Sequence, residues 1–144
     1  MNEMLSPYLN FQGNCEEAMN FYKSVFGGEL EISRFGDFPN CPEGFADKVM
    51  HCALKTPDVT FMASDGMPGG TVTFGDSVNM SLAHTDEEKL TKFFKGLSAG
   101  GTVAVPLAKQ MWGDTFGMFT DKFGIHWLVN IVAKKDTGTP VQEA

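Results

Sequence analysis

NCEEAMNFYKSVFGG (residues 14–28) and DEEKLTKFFKGLSAGG (residues 86–101) carry one pattern twice. In the first, Ala18, Phe21, Tyr22 and Val25 fall at i, i+3, i+4 and i+7, the spacing of one helical face. In the second, Leu90, Phe93, Phe94 and Leu97 repeat that spacing, each 72 residues later. Asn14 offers an N-cap to the first helix, Glu16 and Glu17 suit the positive end of its dipole, and Gly27-Gly28 stops it. Asp86 or Thr85 caps the second, and Gly100-Gly101 ends it.

Working outward, the flanking strands repeat as well. SPYLNF (6–11) and SVNMSLAH (77–84) precede the helices with period-two alternation. ELEISRFG (29–36) and TVAVPLAK (102–109) follow them. Each copy closes on two further strands, KVMHCALKT with VTFMAS, then TFGMFT with IHWLVNIV. Turns at Thr56-Pro57-Asp58 and Asp121–Gly124 divide these pairs. The chain is strand–helix–strand–strand–strand, written twice. Neither half can bury both sheet faces alone, so the pair is read as a single α+β domain over 6–132. Its modules are 6–65 and 77–132, joined by the glycine-bearing linker 66–76. The polar tail 133–144 is expected to be flexible.

Composition narrows the function. The 144 residues suit one domain. A net charge of −7 argues against nucleic acid, which calls for clustered Lys and Arg. Neither a basic amphipathic helix nor an apolar run of about 18 residues points to a membrane. The N-terminus has no charged n-region followed by an apolar h-region, so a signal peptide is not expected. Three cysteines without CxxC spacing read as reduced thiols of a cytoplasmic protein.

The duplicated module resembles the vicinal-oxygen-chelate superfamily, which includes glyoxalases, extradiol dioxygenases and bleomycin- and fosfomycin-resistance proteins. Within it the chain is most similar to the PhnB-like branch. The matching stretches are SPYLNFQGNCEEAMNFYKSVFGGEL (6–30), VMHCAL (49–54), FMASDGMPGG (61–70) and MWGDTFGMFTDKFGIHWLVNIV (111–132). The resemblance implies two βαβββ modules forming a curved mixed sheet around a pocket, with helices on the convex side, and a homodimer. Many members carry a demethylubiquinone methyltransferase label. This chain has no GxGxxG after a strand to hold S-adenosylmethionine, so that label is not carried over.

Metal-using members place ligands on the first and fourth strands of each module. Carried onto this chain, those positions lie near Ser6, Met62, Ser77 and Leu128, none a competent divalent ligand. Strand alternation puts His126 and Asn130 on the face of Leu128, while Trp127, Val129 and Ile131 turn toward the helices. By the same parity Tyr8, Asn10, Asn79 and Ser81 face inward. In KVMHCALK, Met50, Cys52 and Leu54 form the apolar side, leaving His51 opposite with Val49 and Ala53. An imidazole there is a candidate general base or hydrogen-bond donor, alongside its reading as a core histidine. His126 reads first as a strand-end histidine and His84 as exposed. Trp112 and Phe116 are candidate pocket walls, against a reading as core or dimer contact. Asp65 caps its turn or reaches His51. Cys52 reads as an inert buried thiol, and Cys15, at a helix N-terminus, as a candidate low-pKa thiol.

The site expected is therefore His51 as catalytic group and Tyr8, Asn10, Met62, Asn79, Trp112, Phe116, His126, Leu128 and Asn130 as ligand-binding groups, without metal or cofactor. Three functions fit it. The first is a small-molecule binder of the PhnB-like type, or a cryptic enzyme using a pocket histidine. The second is a divalent-metal-dependent lyase, isomerase or dioxygenase with a rearranged site built from His51 with His126 or Asp65. The third is a structural or regulatory dimer whose pocket is filled by Met62, Met118 and Leu128.

Overall fold

The computed structural model describes residues 4–134, so the tail from 135 onward lies outside the described residues. Ten elements follow in order: β1 (Tyr8–Asn10), α1 (Cys15–Phe26), β2 (Glu29–Arg34), β3 (Val49–Lys55), β4 (Thr60–Ser64), β5 (Met80–His84), α2 (Glu87–Ser98), β6 (Thr102–Lys109), β7 (Thr115–Thr120) and β8 (His126–Ile131). A single 3-10 turn, Phe35–Asp37, follows β2. The chain separates into two compact units between Thr73 and Phe74. Each holds one βαβββ module and one mixed four-stranded sheet.

The two sheets have the same topology. Strand order is β1-β4-β3-β2 in the first and β5-β8-β7-β6 in the second. In both, the first strand runs parallel to the fourth and the other pairs are antiparallel. A parallel pair needs a crossover of a dozen or more residues. Here the helix and two strands lying between the paired strands supply it.

One helix covers one face of each sheet. In the first unit Tyr22 and Phe26 of α1 meet Phe61 of β4 edge-on, ring centroids 5.6 and 6.3 Å apart. In the second, Phe94 of α2 meets Phe119 edge-on at 5.0 Å, and Phe119 stacks on Trp127 at 6.4 Å. Aromatic pairs of this kind add about 0.5–1.5 kcal/mol each beyond their burial. The α2 face is the one expected: Leu90, Phe93, Phe94 and Leu97 are all buried. The α1 face is rotated from the expected one. Cys15, Ala18, Met19, Tyr22 and Phe26 are buried, while Phe21 and Val25 are half-exposed. Counting Cys15, Met19 and Phe26 as apolar moves the stripe by most of one residue.

The helix starts differ. Asp86 caps α2 as expected, its carboxylate accepting the Lys89 N–H at 3.1 Å. Asn14 makes no side-chain cap. Asp65 Oδ1 takes that place, accepting the N–H groups of Gly13 and Cys15, both at 2.9 Å. In the turns, Thr56 Oγ1 accepts the N–H of Asp58 and of Val59, and Asp121 Oδ1 accepts those of Phe123 and Ile125. The linker is anchored within the first unit, Val72 N–H donating to Gln12 Oε1 at 3.0 Å. Among the described residues no helix is long and apolar enough to cross a membrane.

Candidate ligand-binding faces

Each sheet has one face against its helix and one without. In β3 and β4, Cys52, Leu54, Phe61 and Ala63 are buried on the helix side, so alternation turns His51, Ala53 and Met62 to the other. Register then builds the helix-free face row by row. Tyr8 pairs with Met62, Met62 with Ala53 and Ala53 with Glu31. Alongside, Asn10 pairs with Ser64 and His51 with Ser33.

Tyr8 lies across this face from His51. Its hydroxyl is 3.4 Å from His51 Nδ1, with ring centroids 5.7 Å apart. At that length the bond is weak, so both groups can turn to a ligand at small cost. Tyr8 is 44% exposed and His51 half-exposed. Ser64 Oγ donates to Asn10 Oδ1 at 3.4 Å. The four expected groups of this unit, Tyr8, Asn10, His51 and Met62, thus share one face.

Sequence reasoning missed several neighbours. Ser33 and Ser64 add hydroxyls, and Glu31 pairs with Lys55 at 2.7 Å on the same side. The hydrogen bond between them, then their opposite charges, holds the Glu31 carboxyl below its ordinary range and the Lys55 ammonium above it. The alternation Glu29-Leu30-Glu31-Ile32-Ser33 carried that signal. Two expectations fail here. Val49 is buried rather than beside His51, because the pairing slips between Ser33 and Arg34 and gives β3 a bulge there. Asp65 does not orient His51: Oδ1 holds Gly13 and Cys15, and Oδ2 accepts the Val49 N–H at 2.8 Å.

In the second unit Trp127, Val129 and Ile131 are buried, and His126, Leu128 and Asn130 occupy the helix-free side, as expected. Ser81 pairs with Leu128 and Leu128 with Met118; Ala83 pairs with Asn130 and Asn130 with Phe116. His126 Nδ1 lies 2.7 Å from Thr120 Oγ1, its cross-strand partner. Asn130 donates its amide to Asp114 Oδ2 at 3.0 Å, and Asp114 Oδ1 also accepts the Ala133 N–H. Asp114 thereby fixes Asn130, a role no local pattern announced. Trp112 stands at the tip of the 110–114 turn, 61% exposed, edge-on to Phe116 at 6.2 Å. Asn79 is exposed just ahead of β5, and His84 is exposed, with Nδ1 accepting the Asp86 N–H.

Strand register decides which residues occupy the metal positions. Ser6 and Ser77 lie outside the strands; the residues paired with Met62 and Leu128 are Tyr8 and Ser81. A thioether, an aliphatic chain, a phenol and an alcohol do not fit a Zn-, Ni- or Mn-type ion. Among the described residues no three His, Cys, Asp or Glu side chains gather closely enough to hold one. Asp65, with both oxygens on backbone donors, does not supply a rearranged site with His51.

Cys15 departs from expectation. It is fully buried, and its Sγ lies 3.6 Å from Cys52 Sγ. The hydrogen bond with Cys52 and burial, followed by the charges of Cys52, Asp65 and Glu16, push its thiol up rather than down. The helix N-terminus does not overcome them.

Comparison with known proteins agrees with this architecture. The sequence pattern of the family described as 3-demethylubiquinone-9 3-methyltransferase matches residues 3–130. Protein YjdN of Escherichia coli (strain K12) is 35% identical, over 92% of this chain and 98% of that protein. Protein PA1353 from Pseudomonas aeruginosa superposes with a TM-score of 0.80 at 38% identity, covering 90% and 97% of the two chains. A putative 3-demethylubiquinone-9 3-methyltransferase, PhnB protein, from Bacillus cereus does so at 0.72 with 28% identity, covering 88% and 98%. Solved members of the glyoxalase/bleomycin resistance/dioxygenase superfamily share the fold at lower identity. The chain belongs to the 3-demethylubiquinone-9 3-methyltransferase family, with a PhnB protein among its structural relatives, and has the fold of the glyoxalase/bleomycin resistance/dioxygenase proteins.

Proposed function

We propose that this chain is a small-molecule-binding protein whose ligand lies against the helix-free face of its first sheet, with His51 as the group that bonds or deprotonates it. The observation that carries this reading is the loose contact of Tyr8 with His51 on a half-exposed strand face. Asn10, Ser33 and Ser64 surround it with donors and acceptors, and Met62 and Tyr8 supply apolar contact. Small-molecule sites combine these elements, apolar walls with a few placed polar groups. On the second sheet Phe116, Leu128 and Met118 make an apolar counterpart, with Asn130 as its polar group and Trp112 edge-on to Phe116 from the 110–114 turn. That face suits a ligand of the kind resistance proteins sequester.

The test is a small-molecule screen followed by amide chemical shifts on labelled protein. Hits should perturb Tyr8, Asn10, His51 and Met62 together, and His51→Ala should weaken them while keeping the native spectrum. Shifts confined to other surfaces, or collapse of the His51→Ala fold, defeat the reading. One divalent ion per chain bound through His51 would instead favour a metal-dependent lyase, isomerase or dioxygenase. Homodimer formation belongs to the same reading, because Leu5, Val78, Met111 and Trp112 leave large apolar groups at the surface. Light scattering should give twice 15.7 kDa; a monomer mass removes that part. Cytoplasmic residence rests on the three free cysteines.

A further inference from the structure

Two thiols sit on the helix side of the first sheet, opposite the proposed ligand face. Cys15 opens α1 and Cys52 lies mid-β3, 37 positions apart in sequence, and both are fully buried. Their sulfurs are 3.6 Å apart. Cys52 also donates to the Ala63 carbonyl at 3.3 Å, which leaves the Cys15 S–H pointing at the Cys52 sulfur. A disulfide requires about 2.05 Å between sulfurs, so each atom need move less than about 1 Å toward the other. The two sulfurs are held differently. Cys52 is fixed in the middle of a paired strand, whereas Cys15 occupies the first turn of α1. Asn14 gives that turn no side-chain cap, and Asp65 holds it through backbone N–H groups.

We propose that Cys15 and Cys52 are a redox pair that a hydroperoxide closes into an intramolecular disulfide, tying the first turn of α1 to β3. With hydrogen peroxide the steps balance. The Cys52 sulfur attacks one peroxide oxygen and breaks the O–O bond, giving a sulfenic acid and, with the thiol proton, one water. Cys15 sulfur then attacks the Cys52 sulfur and displaces its hydroxyl, which leaves with the Cys15 proton as a second water. Two thiols are oxidised, one peroxide is reduced, and one S–S bond forms. The order follows from the donors. The Cys15 S–H stabilises a Cys52 thiolate, and the Cys52 thiol is drawn down by that bond while Cys15 is pushed up. Burial makes the reaction wait on fraying of the α1 first turn, so it is slower than oxidation of an exposed thiol. Nothing in this pair depends on a ligand at His51.

The experiment uses the full chain, reduced and then exposed to hydrogen peroxide, denatured in iodoacetamide and weighed. Cys41, half-exposed in the loop after β2, is the reference thiol. The Cys41→Ser variant removes its separate oxidation and touches no core contact. In that variant the two remaining alkylations should fall to none in the monomer. A peptide joining residues 15 and 52 should appear, dithiothreitol should restore both adducts, and the oxidised form should melt at a higher temperature. In wild type the Cys41 adduct should be lost first, and the Cys15 and Cys52 adducts later and together. Persistence of both adducts in Cys41→Ser after prolonged exposure to peroxide well beyond the dose that exhausts the Cys41 adduct in wild type overturns the proposal. So does conversion of either cysteine to a sulfinic acid without the cross-linked peptide.

Discussion

Asp65, one residue past β4, caps α1 from 50 positions downstream, its Oδ1 accepting the Cys15 N–H at 2.9 Å. The same oxygen takes the Gly13 N–H, and Oδ2 takes that of Val49 at 2.8 Å. One carboxylate therefore joins the start of the helix, the start of β3 and the end of β4. Removing it orphans three backbone donors, and each unsatisfied buried donor costs about 1–3 kcal/mol, less where water reaches in. Asp65→Ala should lower the unfolding free energy by about 3 kcal/mol, read from urea denaturation. Asp65→Asn should fall between the two, since its amide keeps one acceptor oxygen but turns a donor on its neighbours. A loss below about 1 kcal/mol for Asp65→Ala would deny the clamp.

Gly117 is a second point of dependence. It lies buried on the helix side of β7, where an added Cβ would come within 2.6 Å of Phe94 Cε2 and 3.0 Å of Leu107 Cα. The first atom belongs to a side chain that can tilt, the second to the backbone of β6 and cannot. Gly117→Ala should cost about 1–3 kcal/mol, the range for overpacking a filled core. Adding Phe94→Leu should recover part of that loss by relieving the ring contact. A thermal melt of the single and double variants separates the two, and an unshifted single variant would contradict the packing.

These two positions mark the limit of what the sequence discloses. The duplicated order of strands and helix, the α2 stripe and the alternation of β8 are written in local periodicity, and all three appear as read. The faces of Tyr8, Asn10 and His51 followed from strand parity, and that of Met62 from the position the resemblance assigned to it. The α1 stripe is displaced because Cys15 and Met19 pack as apolar residues, as buried cysteine and methionine do. Asp65 was out of reach for another reason. Its partners are backbone groups 16 to 52 residues away, and no side-chain pattern marks a backbone donor. Val49 failed likewise, because a bulge breaks period two without changing composition. The register of β1 against β4, not the resemblance, showed that Tyr8 rather than Ser6 stands beside Met62.

Asp121 and Trp127 make the corresponding clamp in the second unit. Oδ2 accepts the indole N–H at 2.8 Å, while Oδ1 closes the turn through Phe123 and Ile125. Asp121 is only 3% exposed, so water cannot easily replace a lost partner. Trp127→Phe keeps most of the stacking on Phe119 but deletes the donor. It should cost about 1–3 kcal/mol, and Asp121→Ala should cost more, because three donors lose their acceptor. If Asp121→Ala proves milder than Trp127→Phe, the turn is held by its backbone bonds instead.

Glu16 and Arg34 supply the pH dependence. Arg34 grips both Glu16 oxygens, each at 2.8 Å, joining α1 to the end of β2. That hydrogen bonding, with the guanidinium charge behind it, holds the Glu16 carboxyl below its ordinary range despite slight burial. A carboxyl lowered on folding stabilises the native state above its unfolded value, about 4.3, and loses that contribution as pH falls through the folded value. Arg34 remains charged throughout. The side chains are 35% and 46% exposed, so solvent screens the pair and its share is small. Glu16→Gln should therefore be less stable than wild type at pH 7, and the gap should close as pH falls below about 4. It should also narrow in molar salt, where the screening length shrinks to about 3 Å. Denaturation midpoints of both proteins across pH 2–8 decide the matter: a gap that widens toward acid would reverse the sign, and one indifferent to both pH and salt would mean that Glu16 acts through packing rather than charge.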